Sequence, residues 1–128
     1  MSIKIIHTKK SPHPIGPYNQ GIQINNILFI SGQIPIDTKN NTIPDDIAHQ
    51  TKIVLLNIES ILHKANFYVK NIVKTTIFLT NIQNIQQVNN IYTSFFEKHN
   101  SNFPARSCVE VSKLPKNVEI EIEAIAIK

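Results

Sequence analysis

Ala105-Arg106-Ser107-Cys108-Val109-Glu110-Val111 and Val118-Glu119-Ile120-Glu121-Ile122-Glu123-Ala124-Ile125-Ala126-Ile127 flank Leu114-Pro115-Lys116-Asn117. Both segments alternate apolar and polar residues, the period of a strand. Between them, proline and asparagine signal a turn. With Pro115 and Lys116 at the centre of that turn, the segments pair as an antiparallel hairpin. Val111 then faces Ile120, Glu110 faces Glu121, and Cys108 faces Glu123. One face of the hairpin carries Val109, Val111, Ile120, Ile122, Ala124 and Ala126, a seat for helices. The other carries Arg106, Cys108, Glu110, Glu119, Glu121 and Glu123. Alternate glutamates are ordinary on a solvated sheet face, and an arginine among them could simply pair with Glu123. The added Arg and Cys make this face the candidate site, and a polar sheet face also suits packing against another subunit.

Working back from this hairpin, the chain reads as a short strand over 3–7, a stiff loop, and a hairpin of strands 21–24 and 27–31 turning at Asn25-Asn26. The stiff loop, Ser11-Pro12-His13-Pro14-Ile15-Gly16-Pro17, delivers Tyr18; its three prolines fix φ and remove donors. A second loop starts at Gly32 and contains Pro35 and Pro44. Asp45 or Asp46 can cap a helix in which Ile47, Val54, Leu55, Ile58, Ile61, Leu62 and Ala65 share one face, with Asn66 as its stop. His49 and His63 belong on that helix's surface. Residues 72–80 are rich in β-branched side chains and read as a strand. Asn84 can cap a second helix with Ile85, Val88, Ile91, Tyr92, Phe95 and Phe96 on one face, fraying near Asn100. The order β-β-β-α-β-α-β-β predicts an α+β fold: a mixed sheet with two helices packed on one face. The length of 128 residues suits a single domain over 1–128.

Composition narrows the function classes. The one cysteine, Cys108, allows neither an internal disulfide nor a CxxC motif, which suits a reducing compartment. No stretch approaches the roughly 18 apolar residues of a membrane span, and the first seven residues lack a signal peptide's apolar run. Cytoplasm is the expected location. The net charge of +4 comes from dispersed lysines, never more than two in a row and not interleaved with aromatics, so it does not favour a nucleic-acid function. The five histidines show no metal spacing, and GxSxG, GxGxxG and the phosphate-loop pattern are absent. Twelve lysines stand against one arginine, Arg106, which singles that residue out.

Several segments together, in order and with matching spacing over nearly the whole chain, carry a resemblance. They are Ile15-Gly16-Pro17-Tyr18, Ser31-Gly32-Gln33-Ile34-Pro35, Val73-Lys74-Thr75-Thr76, Phe103-Pro104-Ala105-Arg106-Ser107-Cys108-Val109-Glu110-Val111, Leu114-Pro115 and Ile120-Glu121-Ile122-Glu123-Ala124. They resemble the RidA (YjgF) family, and the segment around Arg106 is the most specific of them.

The resemblance implies a chorismate-mutase-like fold, a homotrimer with sites in clefts between subunits, and no cofactor or metal. The implied activity is hydrolysis of 2-iminobutanoate and 2-iminopropanoate to 2-oxo acids and ammonia. These imines tautomerise with enamines released by pyridoxal-phosphate dehydratases, which links the reaction to isoleucine biosynthesis. Carried over by position, Arg106 clamps the substrate carboxylate and Tyr18 lines the cleft. Ser31 and Gly32 form part of its floor, and Asn89 is a neighbour from the second helix. Cys108 contributes mainly through its backbone, and Glu121 holds the attacking water. A covalent role for Cys108 is the alternative mechanism. A non-catalytic binding or holdase role is the alternative function, and the presence of Arg106 argues for the enzyme.

Overall fold

The structure, a computed structural model, describes residues 2–128. Six strands form one sheet: β1 (Ile3–Ile6), β2 (Gly21–Ile24), β3 (Ile27–Gln33), β4 (Ile72–Leu79), β5 (Ala105–Glu110) and β6 (Ile120–Ile127). Two helices, α1 (Ile47–Lys64) and α2 (Ile85–Lys98), complete the expected α+β order. The spatial order of the strands is β1-β2-β3-β6-β4-β5.

The local signals behave as their chemistry demands. Asn25 adopts φ 53° at the β2–β3 turn, where Ile24 pairs with Ile27. Asp46 caps α1, its carboxylate accepting from the His49 backbone N–H at 3.1 Å. All seven expected apolar positions from Ile47 to Ala65 are buried. Asn66 reverses the chain after α1 with φ 61°. Asn84 does not cap α2 through its side chain. Asn81 instead caps a short 3₁₀ turn, Ile82–Asn84, that feeds into α2. Val88, Tyr92, Phe95 and Phe96 of α2 are buried, and Ile85 and Ile91 pack against the core at its edge. The core lies between the helices and one sheet face. Each fully buried side chain there, such as Ile77, Ile120 or Phe96, contributes roughly 1.5–3 kcal/mol.

The terminal hairpin does not form. β6 lies antiparallel between β3 and β4, and β5 pairs in parallel with the far side of β4. Val111–Ile120, Glu110–Glu121 and Cys108–Glu123 are therefore not partners. Helix α2 makes β4–α2–β5 a crossover unit, and such a connection delivers its second strand parallel to the first. The Pro115–Asn117 segment does turn the chain, with φ 59° at Lys116 and 56° at Asn117. It carries the chain past β4 instead of joining neighbours.

The parallel pairing also inverts the expected face of β5. Cys108 lies level with Ile77 and Ile122, both fully buried on the helix side. Arg106 lies level with Thr75 and Ala124 on that same side. Ser107 and Val109 share the open face with Glu123 and Glu121. Arg106 and Cys108 are thus separated from the glutamates with which the hairpin would have grouped them, and pairing of Arg106 with Glu123 is excluded.

A candidate active site in two halves

One cluster forms where the proline loop meets β3. Gln20 anchors that loop from inside: its side chain is 1% exposed, accepts from the Thr8 N–H at 2.7 Å, and donates to the carbonyls of Thr8, Ser11 and Pro12. The Ser31 N–H donates to the Gln20 carbonyl at 2.9 Å, and the Ser31 hydroxyl donates to the Asn19 carbonyl. Tyr18, largely exposed, curls back so that its hydroxyl accepts from the Ile15 N–H at 3.4 Å. The loop is held by Gln20 from inside and by the Ser11 hydroxyl donating to the Asn57 carbonyl, and Asn19, the residue after Tyr18, is the one that Ser31 bonds.

Gly32, expected in a loop, lies within β3. Ile30 pairs with Ala124 and Gln33 with Ile122, so Ser31 and Gly32 together stand opposite the single residue Glu123. This bulge re-aims the backbone, as bulges beside functional sites do. The Glu121 carboxyl group lies over Gly32: a Cβ there would overlap Glu121 Oε2 and sit 2.8 Å from Cδ. Only glycine leaves room for this carboxylate. Glu121 is half-buried, and burial, reinforced by the like charge of Glu123, pushes its carboxyl above the usual range. A carboxyl raised in this way can hold a water molecule and take up a proton more readily than a solvated glutamate does.

The second cluster lies at the β5 edge of the sheet. Arg106 Nη1 donates to Asn89 Oδ1 at 2.8 Å, and its Cζ lies 5.2 Å from the Tyr92 ring centroid. Among the described residues no carboxylate pairs with Arg106. Its charge and remaining donors face outward, an arrangement suited to a planar anion. Cys108, two residues on, is half-buried against the core. Burial pushes its thiol up, and the nearby Arg106 offsets this only in part. The thiol form prevails, whereas a nucleophile requires the thiolate.

Tyr18, Ser31, Gly32 and Glu121 thus form one half, and Arg106, Asn89 and Cys108 the other. β6 and β4 separate β3 from β5. Tyr92, Thr75 and Gln20 escaped the sequence reading as site residues. The signal for Tyr92 was its position three residues after Asn89, on the same helix face. Gln20 gave none, since an amide in a loop reads as solvated. Among the described residues, no group of His, Cys, Asp and Glu is arranged to hold a metal, and no helix is long and apolar enough to cross a membrane.

The protein is thus a small α+β domain, a six-stranded mixed sheet backed by two helices, with Gly32 in a bulge under the Glu121 carboxyl and Arg106 on the edge strand. The chain belongs to the family described as Endoribonuclease L-PSP, which matches residues 8–128, the RidA (YjgF) family that its sequence resembles. It is 59% identical over 124 residues to a RutC family protein of Buchnera aphidicola subsp. Acyrthosiphon pisum, with 97% of each chain covered. It is 47% identical over 125 residues to the 2-iminobutanoate/2-iminopropanoate deaminase of Escherichia coli strain K12, with 98% of each covered. The crystal structure of the E. coli YjgF gene product superimposes with a TM-score of 0.96 at 46% identity, again covering 98% of each chain.

Proposed function

We propose that this protein is a 2-iminobutanoate/2-iminopropanoate deaminase, hydrolysing small 2-imino acids to 2-oxo acids and ammonia. The observation that carries the reading is Arg106. It is the chain's single arginine, held by a neutral amide and a ring face, with no carboxylate of its own among the described residues. The likeness to the E. coli deaminase over nearly the full chain supports it.

In this reading Arg106 binds the substrate carboxylate through two N–H···O bonds, which fixes C2 of the iminium. Glu121 holds a water against C2. Water adds to the C=N carbon, a proton passes from the new C–OH₂ group to the nitrogen by way of Glu121, and the C–N bond breaks with its electron pair leaving on ammonia. The remaining proton passes to the ammonia, so one iminium and one water give one 2-oxo acid and one ammonium. A protonated imine is already electrophilic, so orientation and proton relay suffice. Tyr18, Ser31 and Gly32 line the cleft, Asn89 orients Arg106, and the Cys108 backbone borders the carboxylate. No cofactor or metal enters the scheme.

The division of these residues between two sheet faces supports a site completed between subunits of a homotrimer, the Arg106 half of one copy meeting the Glu121 half of the next. The open sheet face supports such packing: Ile5, Ile22, Phe29 and Ile125 lie in register across four strands. Ile5 and Phe29 are 62% and 44% exposed in the single chain. The reading further places the protein as one domain in the cytoplasm, clearing enamines and imines released by pyridoxal-phosphate dehydratases on the route to isoleucine. The test couples it to threonine dehydratase and times 2-oxobutanoate release. Release no faster than without the protein would refute the activity.

A further inference from the structure

We propose that Tyr92 is a positioning residue for Arg106: its ring, locked in place by the Thr75 hydroxyl, is the floor on which the guanidinium is set for the substrate carboxylate. The inference rests on the carboxylate-binding role of Arg106 and deepens it.

Three elements meet here. Thr75 stands on β4 directly beside Arg106 in the β4–β5 register. It is 1% exposed, and its hydroxyl lies 2.6 Å from the Tyr92 hydroxyl. Tyr92 stands on α2, 4% exposed, its ring 4.8 Å from that of Phe96. Asn89, one turn earlier on the same helix face, accepts from Arg106 Nη1. The guanidinium is therefore located from below by a ring and from the side by an amide, both on one rigid helix, and the ring is tied to a central strand.

The choice of neutral groups matters. An acidic residue in the place of Tyr92 would hold arginine more firmly, but it would neutralise the charge and compete with the substrate carboxylate. A ring face attracts the cation without cancelling it. The hydroxyl makes the ring a fixed reference, because a buried phenol with a single good partner does not readily give it up. Burial also pushes the Tyr92 hydroxyl up, against smaller opposing effects of Thr75 and Arg106. Tyr92 stays protonated and is no acid–base group, which leaves positioning as its role.

Because Arg106 is the only arginine, its Nε–Hε group gives one resonance in the whole assembled protein, a direct probe of its order. The experiment compares wild type, Tyr92→Leu, Tyr92→Phe and Thr75→Val. It follows Arg106 Nε relaxation, 2-oxobutanoate affinity as a non-reacting carboxylate probe, kcat and KM for 2-iminobutanoate, and thermal unfolding. We expect Tyr92→Leu to mobilise Arg106 and weaken 2-oxobutanoate binding by about tenfold, the scale of a partly desolvated cation–π contact. Tyr92→Phe and Thr75→Val each keep the ring and delete the bond that locks it, so both should fall between wild type and Tyr92→Leu. If Tyr92→Leu does not assemble, the two milder variants carry the test by the same readouts. Variants that unfold at lower temperature yet leave Arg106 order and carboxylate affinity at wild-type values would overturn the proposal, since that is the behaviour of mere core packing. A mobilised Arg106 with unchanged affinity would support the hold of Tyr92 on Arg106 and overturn the carboxylate role of the arginine.

Discussion

Arg106 and Glu121 lie on opposite faces of one sheet, Arg106 on the edge strand β5 beneath α2 and Glu121 on β6 across the open face. In a single chain they cannot act on the same small molecule. If both belong to the reaction, two copies must share each site.

That requirement is testable by complementation. Arg106→Ala and Glu121→Ala should each be inactive alone. When refolded together in equal amounts, randomly mixed trimers should regain up to about a quarter of the wild-type sites, because each intact site takes its arginine from one copy and its glutamate from another. Light scattering should report a trimer for both variants. No recovery from correctly assembled mixtures would place the two residues in separate functions.

Arg106→Lys keeps the charge and loses the planar fork that matches a carboxylate. Misplacing C2 by ~1 Å costs about 10²-fold, and kcat/KM for 2-iminobutanoate should fall on that scale. A folded, trimeric variant within a few-fold of wild type would remove Arg106 from the site.

Cys108→Ser should retain much of the activity, since burial holds the thiol in its protonated form. Loss of ~10⁴-fold or more, the scale of a deleted covalent nucleophile, would instead favour a thiolate mechanism.

The raised carboxyl of Glu121 sets a pH dependence. As the group that must be ionised to take a proton, it places the acid limb of kcat/KM above the ordinary glutamate value of 4.5. Removing the like charge with Glu123→Gln should move that limb to lower pH. The folded state holds the Glu121 proton more tightly than the unfolded chain does, so stability falls as pH rises from the unfolded pKa through the folded one. Glu121→Gln should abolish that fall in thermal melts taken across this window. An unchanged pH dependence in both rate and melting would show that Glu121 titrates normally.

Gly32→Ala should displace the Glu121 carboxylate, because the new methyl group would occupy its place. Activity should drop towards that of Glu121→Ala with the trimer intact. Wild-type kinetics in Gly32→Ala would mean that the carboxylate does not need to lie over this backbone.

Much of this protein was legible in its amino acids because the deciding forces are local. Helical spacing from Ile47 to Ala65, the Asp46 cap, the left-handed Asn25 and Asn66, and the β-branched run of β4 each act within a few residues. The singular Arg106 could be picked out against twelve lysines by composition alone. The strand order could not. The alternation in 105–111 and 118–127 specifies two strands and the faces of β6, but it leaves open which neighbour β5 takes. The sequence did hold a corrective signal: strand, α2 and strand form a crossover unit, which calls for parallel pairing of β4 with β5.

Local patterns in the chain therefore determined the elements, the two helices on one sheet face, and the residue types available for binding a carboxylate. Tertiary structure alone decided that β6 inserts between β3 and β4. It thereby turned Arg106 and Cys108 towards α2, set Glu121 over Gly32 on the other face, and brought Thr75, Tyr92 and Arg106 into contact. The physical reason is that a strand's two-residue period encodes which side chains share a face, whereas its neighbours are chosen by which arrangement buries the most apolar surface over the whole sheet. That choice joins residues such as Arg106 and Thr75, which lie far apart in sequence.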